Sequence, residues 1–448
     1  MGEFGYDHFP LTSHFLNLSS RDEFPHVLIL LARNEQEMIS AGIPRRSATC
    51  RSPFHKDDGL FTGGGRLFTP PPGGNLLRGE RRSGTMKDSE RTVDLEAHVH
   101  RHINEIPKEE WDTLVNHKLF HTYRWMELLE YSLREGISPY YITITRDNDL
   151  VGGAVCYPSY RLVFRFYLQS MVCLCPFSND IGLYIKSGEP AEAIFSLLFS
   201  HMEEAARKER ARIVVINNVD VSPYRTLLQK KAALIRMSPS TCLDVQWKTF
   251  KDYLRSLPRK SKKNIRHTLN QGERRGLRLV HTQDFSDAEF LFRFYEENLR
   301  KHGHSYPLPI TSQFYTGLGK YVGDFAYILR CYHESKLLGY WLYFFDGNIA
   351  SMAISGSEED DAREYNAYFN ICYDAVREMI EKGCSRIYFG PTTYTVKRRI
   401  GCTLLEKEVS MKFLNPVLNA VLRLLAPLWN VWMRRAYSSD TATGEPGE

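Results

Sequence analysis

The stretch Lys382-Gly383-Cys384-Ser385-Arg386-Ile387-Tyr388-Phe389-Gly390-Pro391-Thr392-Thr393 carries the sharpest punctuation in the chain. Gly383 ends a helix predicted from Asn366 to Lys382, since a glycine just past the last turn can take the left-handed conformation. Arg386–Phe389 then reads as a short strand, and Gly390-Pro391 stops it. Upstream, Phe325–Tyr332, Leu337–Phe345 and Ile349–Ser355 read as a three-strand meander with Asp346-Gly347 as a turn. Downstream, Leu405–Met411 is a last strand. A meander, a helix and further strands make this half mixed α/β.

The same order occurs earlier in the chain. Tyr140–Thr145 and Leu150–Tyr157 flank the turn Asp147-Asn148, with further strands expected at Phe164–Cys173 and Ile181–Ile185. A helix from about Pro190 to Lys208, a strand at Ile213–Asn217, a helix near Tyr224–Ala233 and a strand near Cys242–Val245 complete it. The chain therefore divides into residues 86–246 and 247–412, two α/β domains in tandem.

The ends differ. Residues 1–85 hold 11 of the 30 glycines and 7 of the 21 prolines and lack a periodic apolar face, so they read as a disordered extension, with Met86-Lys87-Asp88-Ser89 as the expected true start. Residues 413–448 form an amphipathic helix and a tail. In it Asn415, Asn419, Arg423, Asn430 and Arg434 make a polar stripe, while Val417, Leu418, Val421, Leu422, Leu425, Leu428, Trp429 and Trp432 cover the rest. Arg423 and Pro427 argue against a spanning helix. Residues 413–435 suit either a membrane surface or docking on their own domain or a dimer mate.

Composition narrows the class. The chain has 448 residues and is 43% hydrophobic, which excludes wholesale disorder, and no run of 18 apolar residues marks a polytopic membrane protein. Nine cysteines without a CxxC pair fit neither a secreted disulfide framework nor a zinc ribbon and suggest a reducing compartment. GxSxG, Walker A and HExxH motifs do not occur. The net charge of +5 is concentrated: eleven Lys or Arg against two acids between Lys248 and Arg278 give that segment +9 and leave −4 elsewhere. Arg259, Lys263 and Arg266 fall on one helix face, spaced to meet the phosphates of a nucleotide, tRNA or lipid pyrophosphate, or to stand as a solvated basic face.

Two runs carry a family resemblance. Leu257-Pro258-Arg259-Lys260-Ser261-Lys262-Lys263-Asn264-Ile265-Arg266, ending at Arg275-Gly276-Leu277, resembles the basic "RKSRRNIRRA…RRGL" run of FemAB-like N-acyltransferases. Tyr365-Asn366-Ala367-Tyr368, Lys382 to Thr393 and Lys397 resemble that superfamily's "YNPY…A…ERG…FDFG.TT…K", with Ala367 where proline stands in the family. No tidy R/Q-x-x-G-x-G/A pyrophosphate loop accompanies them. The resemblance implies two tandem GNAT-like domains, of the type that includes BioF2-like acetyltransferase domains. It also implies an N-acyltransferase: acyl or aminoacyl transfer from acyl-CoA or aminoacyl-tRNA as co-substrate, with no bound cofactor, to an amine such as a cell-envelope precursor. The expected place is the cytoplasm or the inner membrane face.

Within that frame Tyr365, Tyr368 and Lys397 are the candidate catalytic residues. Asn366, Gly390, Thr392, Thr393, Arg398, Arg399, Arg259, Lys263 and Arg266 are candidates for donor binding. Free N–H groups at a helix start favour anions, glycine allows close backbone approach, and tyrosines can donate to a carbonyl or leaving group. Plain capping and packing suit the same positions. His98, His100 and His102 share one strand face, but without an acidic or cysteine partner no metal site is expected. The competing reading is an inactive membrane-associated scaffold holding anionic lipid through the basic helix.

Overall fold

Asp147 and Asn148 both adopt left-handed backbone, φ 54° and 68°, and so make the tight turn whose twist matches the strands on either side. From such hairpins the computed structural model builds a wide sheet; it describes residues 95–442 except 164–165, 303–309 and 392. The expected extension 1–85 and the start at Met86 lie outside the described residues. The strands are β1 Leu95–His100, β2 Tyr140–Arg146, β3 Asp149–Val163, β4 Phe166–Cys173, β5 Leu183–Ile185, β6 Ile213–Ile216, β7 Ala233–Asp244, β8 Leu277–Thr282, β9 Ala326–His333, β10 Lys336–Phe345, β11 Ile349–Ser357, β12 Arg386–Tyr388 and β13 Thr403–Phe413. The helices are α1 Lys108–Leu114, α2 Tyr123–Ser132, α3 Ala191–Lys208, α4 Arg225–Lys231, α5 Phe250–Ser256, α6 Arg259–Arg274, α7 Ala288–His302, α8 Gln313–Val322, α9 Glu359–Glu364, α10 Ala367–Glu381, α11 Tyr394–Arg399 and α12 Pro416–Ala442.

The sheet order is β1-β2-β3-β4-β6-β13-β7-β12-β11-β10-β9-β8, with β5 attached to β3. It reads alike from both edges. Each half is an antiparallel meander of four strands followed by one parallel pair, β4 with β6 and β11 with β12. A long helix makes each crossover. α3 buries Ile194, Phe195, Leu198, Phe199 and Met202; α10 buries Ile371, Ala375, Val376 and Met379. This is the mixed α/β tandem expected from the sequence.

At the centre the halves exchange strands. β13, last in the chain, lies between β6 and β7, and β7, the last strand of the first half, bonds to β12 of the second. The sheet therefore runs without a break across the sequence division at 246/247.

β7 is much longer than the expected Cys242–Val245. Ser238-Pro239-Ser240 interrupts its pattern, because proline cannot donate to a ladder. The pairing with β13 jumps from Leu405↔Ser240 to Lys407↔Met237, which leaves Pro239 at a bulge where its missing N–H is harmless.

β12 bonds to only three residues of β7, Cys242–Asp244, and α12 covers β7 further along. Asn430 Oδ1 accepts from Arg236 N at 2.7 Å, its Nδ2 donates to Leu234 O at 2.8 Å, and Trp429 Nε1 donates to Arg236 O at 2.9 Å. The helix runs through Pro427 and is longer than the expected 413–435.

Candidate active site

In the second half the parallel pair opens. β11 and β12 share three residues, Ile349↔Arg386 to Ser351↔Tyr388; β12 then stops while β11 continues to Ser357. Beyond it Phe389 N donates to Thr241 O at 2.9 Å, so the chain follows β7 and leaves β11. A register shift opposite Leu342 and Tyr343 bends β11 there as well, pairing Leu342 with Ile354 and Tyr343 with Met352. The result is a wedge between β11 and residues 389–391.

The first half has the same strands but no wedge. β4 and β6 stay paired from Ser170↔Ile213 to Cys173↔Ile216. The following loop folds back so tightly that a Cβ on Gly182 would sit 2.8–2.9 Å from the Leu174 backbone. Buried His121 pins that loop, with Nδ1 at the Tyr184 hydroxyl and Nε2 2.7 Å from Ser178 Oγ, while the Tyr184 hydroxyl lies 2.8 Å from Cys175 Sγ.

Burial pulls the His121 pKa down to about 4; the Asp180 carboxylate raises it slightly and Lys118 lowers it. The folded protein thus favours neutral imidazole. Its contribution is complete above the unfolded value of about 6.5 and is lost as pH falls toward 4, at most ~3 kcal/mol. We expect the melting temperature to fall through this window and His121→Gln to flatten the fall. An equally steep profile in the variant would assign it to other groups.

Five of the twelve candidates, Asn366, Tyr368, Gly390, Thr393 and Lys397, lie around the wedge. Asn366 is at the N-cap position of α10 in left-handed backbone, φ 53°, and its side chain makes no capping hydrogen bond. Instead Asn370 Nδ2 donates to Asn366 O at 3.1 Å. Thr393, φ 47°, starts α11, and its Oγ1 lies 3.1 Å from the Tyr368 hydroxyl. That contact joins the helix start at Asn366 to the strand end at Gly390. The Tyr368 ring stacks on Trp341 with centroids 5.8 Å apart, and burial raises its phenol far above the usual value, so it stays a neutral donor. Thr392 lies outside the described residues.

Lys397 is placed differently from the sequence reading. It is 2% exposed, and Nζ donates to the carbonyls of Phe389, Gly390 and Pro391 at 2.8, 3.1 and 2.9 Å. Burial lowers its pKa to about 8, while three carbonyl acceptors favour the charged form. All three N–H bonds of the ammonium are thereby committed to the loop, so Lys397 is a positioning residue. Gly390, φ 70°, also accepts from Thr241 Oγ1 at 2.7 Å. Arg398 and Arg399 close α11, the first half-buried and the second exposed.

Tyr365 stacks against His333 at 4.2 Å and lies 5.7 Å beneath the Arg275 guanidinium. Arg259, Lys263 and Arg266 are exposed on α6, with Ile265 buried behind them. Gly272, near the other end of α6, meets Asn370 of α10: a Cβ there would be 2.6 Å from Asn370 Oδ1. Arg259 is about 20 Å along the helix from that contact. Arg275, whose Nη1 donates to Glu364 O at 2.7 Å, is a basic residue beside the α10 start.

Sequence reasoning missed Trp341 and Thr241, which reach the site from strands distant in the chain and carry no local signal. Of the three histidines, His98 and His100 lie on β1 and His102 falls beyond it, paired with Glu130 at 3.2 Å. Among the described residues no group of three or more His, Cys, Asp or Glu converges.

A sequence search of curated proteins finds no match. Among solved structures, FemX aligns at 13% identity over 73% of this chain and 100% of its own, with a TM-score of 0.46. A tandem GNAT protein from the clavulanic acid biosynthesis pathway aligns at 14% identity over 72% and 99%, with a TM-score of 0.46. A GCN5-related N-acetyltransferase from Anabaena variabilis aligns at 11% identity over 71% and 73%, with a TM-score of 0.43. The FemAB-like family, described as peptidoglycan biosynthesis/recognition, matches residues 159–399, more than half of the sequence. By that match the chain belongs to the FemAB-like family.

Proposed function

We propose that this protein is an N-acyltransferase that works at the wedge between β11 and residues 389–391, taking an acyl or aminoacyl group from a phosphate-bearing donor. The contact between Tyr368 and Thr393 at the open end of the parallel pair carries this reading. An acceptor amine attacks the acyl carbon, the bond from that carbon to the donor's sulfur or oxygen breaks, and the leaving group takes up a proton. An α-amine is roughly a tenth neutral at pH 7, so it can lose its proton to water without a dedicated base. Tyr368 supplies a neutral phenol to the developing oxyanion or leaving group. Lys397 keeps Gly390 and Thr393 in position. The first-turn N–H groups of α10, with Asn366 at its start and Arg275 alongside, face the donor's phosphates.

The donor is an aminoacyl-tRNA or an acyl-CoA-type thioester, and the acceptor an amine of a cell-envelope precursor. Eight described cysteines, all buried and unpaired, support a cytoplasmic site of action.

The exposed row Arg259, Lys263 and Arg266 favours the polyanionic donor. If it meets tRNA, binding weakens steeply with salt, and replacing all three by alanine lowers the logarithmic slope by roughly 2–3. A donor that binds with no salt dependence, unchanged in the variant, is a small thioester and leaves the row solvated. An inactive scaffold would show no transfer with either donor.

A further inference from the structure

The C-terminal helix α12 turns polar residues toward the domain and apolar ones outward. Its domain side buries Leu422, Ala426 and Met433, and the polar stripe is used against the domain. Asn430 bonds to the β7 backbone, and Arg423 donates to the carbonyls of Gln229 and Lys230 at 3.2 and 3.4 Å. What faces away is apolar. Val417 is 69% exposed, Leu424 75%, Leu428 51% and Val431 48%, and these positions line up along one side of a 3.6-residue helix. Trp432 flanks the stripe. No acidic residue occurs from Pro416 to Ser439, whereas Arg423, Arg434 and Arg435 do.

A cavity of about 500 Å³ lies beside the first turns of the helix, lined by Arg207, Lys412, Arg423 and Asn419 together with Glu203 and Phe413. Lys412 and Arg207 both pair with Glu203, so one acid answers three bases there.

We propose that α12 lies in the interface of an anionic phospholipid membrane, with Val417, Leu424, Leu428 and Val431 entering the acyl boundary and the exposed Arg434 and Arg435 meeting lipid phosphates. The charge pattern selects this occupant. A second copy of the same face would set arginines against arginines with no acid between Pro416 and Ser439 on either helix, whereas anionic headgroups complement them. No helix among the described residues is long and apolar enough to cross a bilayer, so the contact is superficial.

Co-sedimentation of the full chain with phosphatidylcholine vesicles, with and without phosphatidylglycerol, tests this at ~0.15 M salt. The anionic vesicles should carry the protein down and the neutral ones should not. Leu424→Glu, at a surface site where folding is not at stake, should weaken binding about tenfold or more. Arg434→Ala with Arg435→Ala should weaken it about fivefold per charge. Three outcomes would overturn the proposal: no binding to anionic vesicles, unimpaired binding by Leu424→Glu, or a stable dimer in solution that Leu424→Glu dissolves.

Discussion

Tyr368→Phe is expected to lower turnover by about 10²–10³ with little change in stability. The ring keeps its stacking on Trp341, so the substitution removes the hydroxyl and its 3.1 Å contact with Thr393 and little else. The phenol is held neutral by burial, which suits it to donate into a developing negative charge and not to act as a base. Removing one preorganised donor from a site where an oxyanion forms costs on that scale. Single-turnover transfer by the variant, with the donor chosen by the salt titration, separates this from a binding defect. A variant that keeps near-wild-type turnover would remove Tyr368 from the chemistry.

Lys397→Met should damage the fold and the site together. Three carbonyls of residues 389–391 would lose a charged donor inside a nearly water-free pocket, a loss of about 3–5 kcal/mol by analogy with breaking a buried charged pair. In a chain of this size that is a fall of roughly 5–10 °C in melting temperature. Activity should fall further than the unfolded fraction explains, because Gly390 and Thr393 would lose their fixed place. If the melting temperature held while KM rose more than tenfold, the ammonium would be binding substrate and not the loop.

The wedge was legible in the sequence where its residues are neighbours in the chain. Gly383 and Gly390 carry the left-handed backbone their positions need, φ 73° and 70°, and so mark the helix end and the strand end on either side of β12. Lys397 misled because charge in a sequence suggests solvent or substrate; only the fold shows three carbonyls converging on it. Trp341 and Thr241 could not be found, since their relation to Tyr368 and Gly390 exists only once strands distant in sequence lie together. β7 was undercounted for a local reason, Pro239, and a long-range pairing with β13 overrides it. The polar stripe of α12 was visible as a stripe, but a helical wheel cannot say which side meets the domain.

The strand exchange at the centre of the sheet sets the order in which the protein can be made. On the ribosome β6 emerges early, yet its partner β13 is synthesised after every other strand, and Ile216 waits for Ser410. Until then the nascent first half carries a buried-type strand, Ile213–Ile216, with an open edge, the kind of edge that pairs with other chains. β7 meanwhile has been released from the first half only to await β12. Neither half can close alone, so the usual benefit of tandem architecture, amino-terminal folding during translation, is withheld here. The chain must reach its last strand before either core is sealed.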